Sequence, residues 1–220
     1  MPTSLTFLHT AAPLAPSFDE LVTEIAPDVP VRHLIAGDLL DTARAEGPDS
    51  VAARAQVRDA VLHAVAGGAR VVLCTCSTIG DPAERTASDA RRTVMRVDRP
   101  MAERAVEAGS RILVVATLES TLGPTTDLIR DAAAKAGRDV EISTLLADAA
   151  WAKFEAGDAD GYHAAIATAV KADAGDVDAV VLAQGSMAAA AGLCDGVAAP
   201  VLSSPRLGVE AAVAAFRASG

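Results

Sequence analysis

Aromatic side chains are scarce in this chain: Phe, Tyr and Trp make up 3% of its 220 residues, although hydrophobic residues as a whole reach 51%. A core with few large rings has to be built from small aliphatic side chains packed closely between helices and strands. Positive charge is short as well. The formal net charge is −10, and lysine is confined to Lys135, Lys153 and Lys171. With no basic stripe and little aromatic surface, the chain is not expected to bind nucleic acid. No charge-free apolar run reaches membrane-spanning length, and residues 1–10 lack the basic and apolar regions of a secretion signal, so no membrane partner is expected. The three cysteines do not pair into a disulfide framework and suit a reducing compartment, which makes the cytoplasm the expected location. No Gly-x-Gly-x-x-Gly or Walker-type loop offers a phosphate cradle. The spacing of His9, His33, His63 and His163, and of Cys74 with Cys76, suggests no metal site.

What the chain does have is a repeat. Residues 71–78 read Val-Val-Leu-Cys-Thr-Cys-Ser-Thr and residues 180–187 read Val-Val-Leu-Ala-Gln-Gly-Ser-Met, about 109 positions later. In each, an apolar run suited to a buried strand breaks into small polar residues. Strand-like runs at 5–9, 31–35, 70–74 and 93–97 recur at 111–116, 140–145, 179–183 and 200–203. Helical spacing is read at 18–25, 52–65, 101–108, 161–172 and 205–218, with Gly67-Gly68 and Gly109 as stops and Pro100 and Pro205 as starts. Repeated βαβ units imply parallel sheets with helices on both faces. The expected fold class is therefore α/β: two pseudo-symmetric three-layer α/β/α domains, each with a parallel four-stranded sheet. Their expected bounds are 1–98 plus 205–220 for the first and 99–204 for the second.

Ligands of such sheets lie beyond the carboxyl ends of the strands. That rule selects His9-Thr10-Ala11, Cys76-Ser77-Thr78, the stretch 117–121, the stretch 184–187 and Ser203-Ser204-Pro205-Arg206. Hydroxyls beside helix N-terminal amides suit a carboxylate. Thr117, Ser120 and Thr121 read either as such donors or as caps of the following helix. Arg206 reads either as an anion ligand or as half of an ion pair, and Glu119 as a solvated loop carboxylate. Cys74 and Cys194 read as small buried hydrophobes. His33, His63 and His163 read as ordinary helix or strand positions.

Cys76-Ser77-Thr78 after a parallel strand resembles the Cys-Asn-Thr motif of the aspartate/glutamate/hydantoin racemase superfamily. The run Leu182-Ala183-Gln184-Gly185-Ser186-Met187 is similar to that superfamily's second-half Leu-Gly-Cys-Thr-His or Gly-Cys-Ala-Gly-Met loop, and Ala116-Thr117-Leu118-Glu119-Ser120-Thr121 to its Ala-Thr-x-x-Thr loop. The resemblance covers essentially the whole chain. It implies a site in the cleft between the two domains, with one cysteine from each half flanking the carbon alpha to a carboxylate, and no metal or other cofactor. Cys76 is then the catalytic acid/base. His9, Thr10, Ser77, Thr78, Thr117, Ser120, Thr121, Gln184, Gly185, Ser186 and Arg206 form the substrate-binding set. The partner is a small carboxylate-containing molecule, and the superfamily's habit is compatible with a homodimer.

The second thiol is missing. Position 185 aligns with Cys76 without a gap, and position 184 aligns if Met187 is matched to the hydantoin-branch Met; they hold Gly and Gln. Cys194, ten residues past Gln184, would lie on the order of 15 Å away if the stretch were α-helical. Gln184 is expected to orient a carboxylate as a neutral donor, without serving as a proton donor of matched acidity. The expectation is a racemase-like isomerase acting on an amino-acid-like or hydantoin-like substrate. A single-cysteine decarboxylase-like lyase and a non-enzymatic carboxylate-binding protein are the alternatives.

Overall fold

The computed structural model describes residues 3–219. The chain forms two compact units, one running to Val97 and resuming at Pro205, the other spanning Asp98–Ser204. The first unit runs β1 (Ser4–His9), α1 (Ala15–Ile25), β2 (Val31–Ile35), α2 (Asp38–Glu46), α3 (Val51–Ala66), β3 (Ala69–Cys74), α4 (Gly80–Arg85), α5 (Ala87–Ala90) and β4 (Thr93–Arg96). The second runs α6 (Arg99–Ala108), β5 (Arg111–Ala116), α7 (Glu119–Ala136), β6 (Glu141–Leu146), α8 (Trp151–Glu155), α9 (Ala159–Asp173), β7 (Ala179–Leu182), a 3-10 helix (Gly185–Leu193) and β8 (Val201–Ser203). Helix α10 (Ser204–Ala218) then returns the chain to the first unit.

Each unit contains one parallel four-stranded sheet, ordered β2-β1-β3-β4 in the first and β6-β5-β7-β8 in the second. The same topology twice is the structural form of the sequence repeat. Alternation along the central strands feeds two cores in the first unit. Leu5 and Phe7 of β1 and Val71 and Leu73 of β3 pack with Phe18 and Val22 of α1 and with Val209, Val213 and Phe216 of α10. Leu8, Val72 and Cys74 face the other way, onto Leu39 of α2 and Val57 and Val61 of α3. This is the three-layer arrangement that a sheet buried on both faces requires. The fit of α10 depends on Gly208, where a Cβ would stand 2.5 Å from the Val97 carbonyl oxygen.

In the second unit, Leu113, Val115, Val180 and Leu182 meet Tyr162, Ile166 and Val170 of α9 and Met187 of the 3-10 helix. Helices α6 and α7 pack on each other and against β5 and β7. Short α2, α4, α5 and α8 carry too few periodic apolar positions to be read from sequence. The 185–193 stretch winds as a 3-10 helix and not as an α-helix, with Cys194 at its C-terminus.

In both sheets the order reverses direction beside the first strand, so the carboxyl ends of β1 and β3, and of β5 and β7, flank the topological switch points. Those ends deliver His9 and the 75–78 loop in one unit, and Thr117 and the 183–186 loop in the other.

Candidate functional site

At the first switch point, β1 and β3 run in register with Leu8 opposite Cys74. The Thr75 backbone nitrogen donates to the Leu8 carbonyl at 3.0 Å, so the loop is tied to β1 at the moment it leaves the sheet. Thr75 points to the α1 side, where its hydroxyl lies 2.8 Å from His9 Nδ1. Cys76, half-buried, packs against the opposite core together with Cys74, whose thiol donates to the Cys76 carbonyl at 3.5 Å. Ser77 and Thr78 are buried behind it. Thr10, one residue past β1, is half-buried.

Two residues outside the sequence reading shape this loop. Arg96, at the end of β4, is 3% exposed and donates to the Ser77 carbonyl at 3.4 Å. Its side chain lies over Gly80, where a Cβ would stand 2.9 Å from Arg96 Nε. A guanidinium at that depth beside hydroxyls is the signal; an arginine in a short strand carries no mark of it in sequence. His33, read as an ordinary strand position, stacks on His9 at 5.1 Å between ring centroids and bonds to His9 Nε2 through Nδ1 at 2.8 Å. His9 itself is wholly buried with both ring nitrogens engaged. Burial first, and the charge of His33 second, lower its pKa from 6.5 to about 4. The expectation that His9 touches substrate is corrected accordingly: its ring braces the loop from behind.

The second switch point is organised around Gln184. Its side-chain oxygen accepts from the Thr117 backbone nitrogen at 2.6 Å, from the Thr117 hydroxyl at 3.0 Å and from the Leu118 backbone nitrogen at 3.3 Å. Gln184 was expected to offer its amide as a donor, and its carbonyl is engaged as an acceptor instead. The hydroxyl network that follows has one direction. Thr117 spends its proton on Gln184, so it accepts from Tyr162 at 3.2 Å, and Tyr162 in turn accepts from the Ser186 hydroxyl at 2.9 Å. Tyr162 is fully buried, which raises its pKa against the opposing pull of these bonds and keeps it a phenol. His163, read from sequence as an ordinary helix or strand position, bonds to the Ser186 carbonyl at 2.9 Å.

Helix α7 begins without a side-chain cap, so Thr117, Ser120 and Thr121 do not serve it as one. The Ser120 hydroxyl is buried and has no partner; Thr121 is 2% exposed. Gly185 opens the 3-10 helix beside Gln184. Arg206 turns to Glu24 of α1 at 2.6 Å and is exposed, so its charge is used within its own unit and not toward the strand ends. Cys194 is buried, donates to the Ala190 carbonyl at 3.2 Å, and has its thiol pKa pushed up by burial, which suits a structural thiol. A groove of about 700 Å³ lined by Thr3, Arg70, Arg91 and Thr93 lies at the opposite, amino ends of the strands and includes none of these residues. Among the described residues no group of three or more His, Cys, Asp or Glu side chains is placed to hold a metal ion, and no helix is long and apolar enough to cross a membrane.

A doubly repeated parallel sheet of this kind is also the fold of solved amino-acid racemases. The solved structures it resembles include an aspartate racemase from Picrophilus torridus, at 14% identity and TM-score 0.72, with 100% of this chain and 95% of that one covered. A glutamate racemase from Bacillus anthracis matches at 13% identity and TM-score 0.69, covering 99% of this chain and 83% of the other. Arylmalonate decarboxylase matches at 17% identity and TM-score 0.57, covering 100% and 93%. No protein-family model matches the sequence, and neither does any curated protein.

Proposed function

We propose that this chain catalyses proton transfer at the carbon alpha to a carboxylate without calling on a cofactor, with Cys76 as the acid/base. The observation that supports the reading is a half-buried thiol just past the carboxyl end of β3, at the topological switch point of its sheet. Removing a proton beside a carboxylate creates an enediolate whose charge must be met by preorganised donors. In the first unit, Ser77 and Thr78 beside Cys76 are the groups assigned to the carboxylate. The substrate class is a small amino-acid-like or hydantoin-like acid. The fold shared with named amino-acid racemases supports this class.

The engaged state of Gln184 favours a second reading of the reaction. A side chain held as an acceptor by three donors supplies no proton to a second face, so one thiol would return a proton to one face only. A single-cysteine lyase, in which a carboxyl group leaves as carbon dioxide and Cys76 protonates the resulting enediolate, satisfies that constraint, and arylmalonate decarboxylase shares the fold.

Alkylation tests the assignment of Cys76. Iodoacetamide with peptide mass spectrometry is expected to label Cys76 before the buried Cys74 and Cys194, and malonate is expected to protect Cys76 selectively. Equal slow labelling of all three, or labelling of Cys76 indifferent to malonate, would overturn it.

A further inference from the structure

The proposed reaction uses Cys76 on one side of the β3 end; on the other side lies a row of titratable groups that it does not use. Asp19 of α1 meets His33 Nε2 at 2.9 Å, His33 Nδ1 meets His9 Nε2 at 2.8 Å, and His9 Nδ1 meets the Thr75 hydroxyl at 2.8 Å. The Thr75 hydroxyl also reaches the Leu8 carbonyl at 3.2 Å. The row runs from an exposed carboxylate to a hydroxyl that is 3% exposed. Phe7 and Phe18 pack on the rings and exclude water from the inner half.

With the buried His9 ring kept neutral, two placements of hydrogen satisfy every group in the row. In the first, Thr75 donates to His9 Nδ1, His9 Nε2–H donates to His33 Nδ1, and His33 Nε2–H donates to Asp19. In the second, which holds one more proton, Thr75 donates to Leu8, His9 Nδ1–H donates to Thr75, and His33 donates through both nitrogens, to His9 and to Asp19. His9 is neutral in both and only exchanges tautomer. The added charge rests on His33, against the Asp19 carboxylate and away from the buried ring. The lowered pKa of His9 agrees with this division.

We infer that His9, His33 and Asp19 form a proton relay that sets the direction of the Thr75 hydroxyl, and that they act as positioning residues for the Cys76 loop. A proton arriving at Thr75 moves the Thr75 hydrogen to His9 Nδ1 and the His9 Nε2 hydrogen to His33, so the proton count balances and the charge emerges beside Asp19. His33 and Asp19 are the groups whose charges act on His9. Arg32 of β2 and His63 of α3 share a small cavity with His33, and Arg32 is turned to the Gly67 carbonyl. The consequence for Cys76 rests on the reading that this thiol is the reactive one; the relay itself does not.

Imidazole nitrogen NMR on the ¹⁵N-labelled chain, titrated from pH 8 to pH 5, is the test. The proton on His9 is expected to move from Nε2 to Nδ1 with the ring staying neutral, in step with full protonation of His33. A His9 tautomer that never changes, or a His9 that becomes doubly protonated with or before His33, would overturn the relay. Asp19→Asn, an exposed change that leaves the core alone, is expected to lower the midpoint, because it removes the opposite charge beside the added proton. An unmoved midpoint would remove Asp19 from the relay. The pH profile of Cys76 alkylation is expected to carry an inflection at the tautomer midpoint and to shift with it in Asp19→Asn; a profile that ignores the shift would overturn the positioning role. A tautomer exchange that persists while no α-hydrogen exchange is found on any substrate supports the relay and counts against the reaction alone.

Discussion

The side-chain oxygen of Gln184 lies 2.6 Å from the backbone nitrogen of Thr117, on the β5–α7 loop. The same atom takes the Thr117 hydroxyl and the Leu118 amide. A chain of hydroxyls from Ser186 through Tyr162 to Thr117 points its hydrogens toward it. The residue standing where a second thiol is expected therefore acts as an internal ligand.

If Gln184 fills a seat made for a carboxylate oxygen, its removal leaves two amides and a hydroxyl unpaired. Gln184→Ala is expected to destabilise the protein by about 1–3 kcal/mol, the cost of orphaned buried donors. Millimolar malonate is expected to restore part of that loss in the variant and less in the parent. Urea unfolding with and without malonate measures both. A variant as stable as the parent, or one indifferent to malonate, would show that the donors have other partners.

Burial of neutral His9 makes stability fall in acid. Its pKa is about 4 in the folded chain and near the ordinary 6.5 when unfolded, so between those values the unfolded state binds more protons. The His9 contribution is complete above pH 6.5 and is lost as pH falls toward 4, amounting to on the order of 3 kcal/mol across that window. Chemical denaturation at pH 7 and pH 4.5 is expected to show this slope, and His9→Gln to flatten it. Identical slopes in the two proteins would contradict the burial account.

The Cys76 loop depends on the contact between Arg96 and Gly80. Gly80→Ala places a methyl group within 3.1 Å of Arg96 Cβ and Cζ, and 2.9 Å of Nε, so the guanidinium must move. The expected cost is about 1–3 kcal/mol, as for overpacking elsewhere, with a change in the Cys76 alkylation rate. An unchanged melting temperature and alkylation rate would mean that the arginine has slack.

The α/β class, the duplication and the strand-end rule were legible because buried parallel strands are written as short apolar runs, and Val-Val-Leu occurs at the end of both central strands. Cys76, Ser77, Thr117 and Gln184 were legible because they follow those runs directly. Tyr162 and Arg96 were not: one reaches its strand end from the first turn of α9 and the other from a neighbouring strand, so only tertiary packing brings them there. The pairing of His9 with His33 follows from the register of β1 on β2, in which His9 sits opposite Ile35 and Phe7 opposite His33. Sequence distance gives no sign of a contact made diagonally across a sheet. The run between Gln184 and Cys194 winds as a 3-10 helix and not as the α-helix supposed for it.

The central claim is that the Cys76 thiol moves a proton at the carbon alpha to a carboxylate. Its most direct test is proton NMR in D₂O of a panel of 2-substituted mono- and dicarboxylates incubated with the protein and with Cys76→Ala. The account predicts cysteine-dependent deuterium at the alpha carbon of at least one acid: exchange in both enantiomers for a racemase, a single deuteron in the product for a decarboxylating lyase. No deuterium in any acid, or the same incorporation in Cys76→Ala, would contradict it.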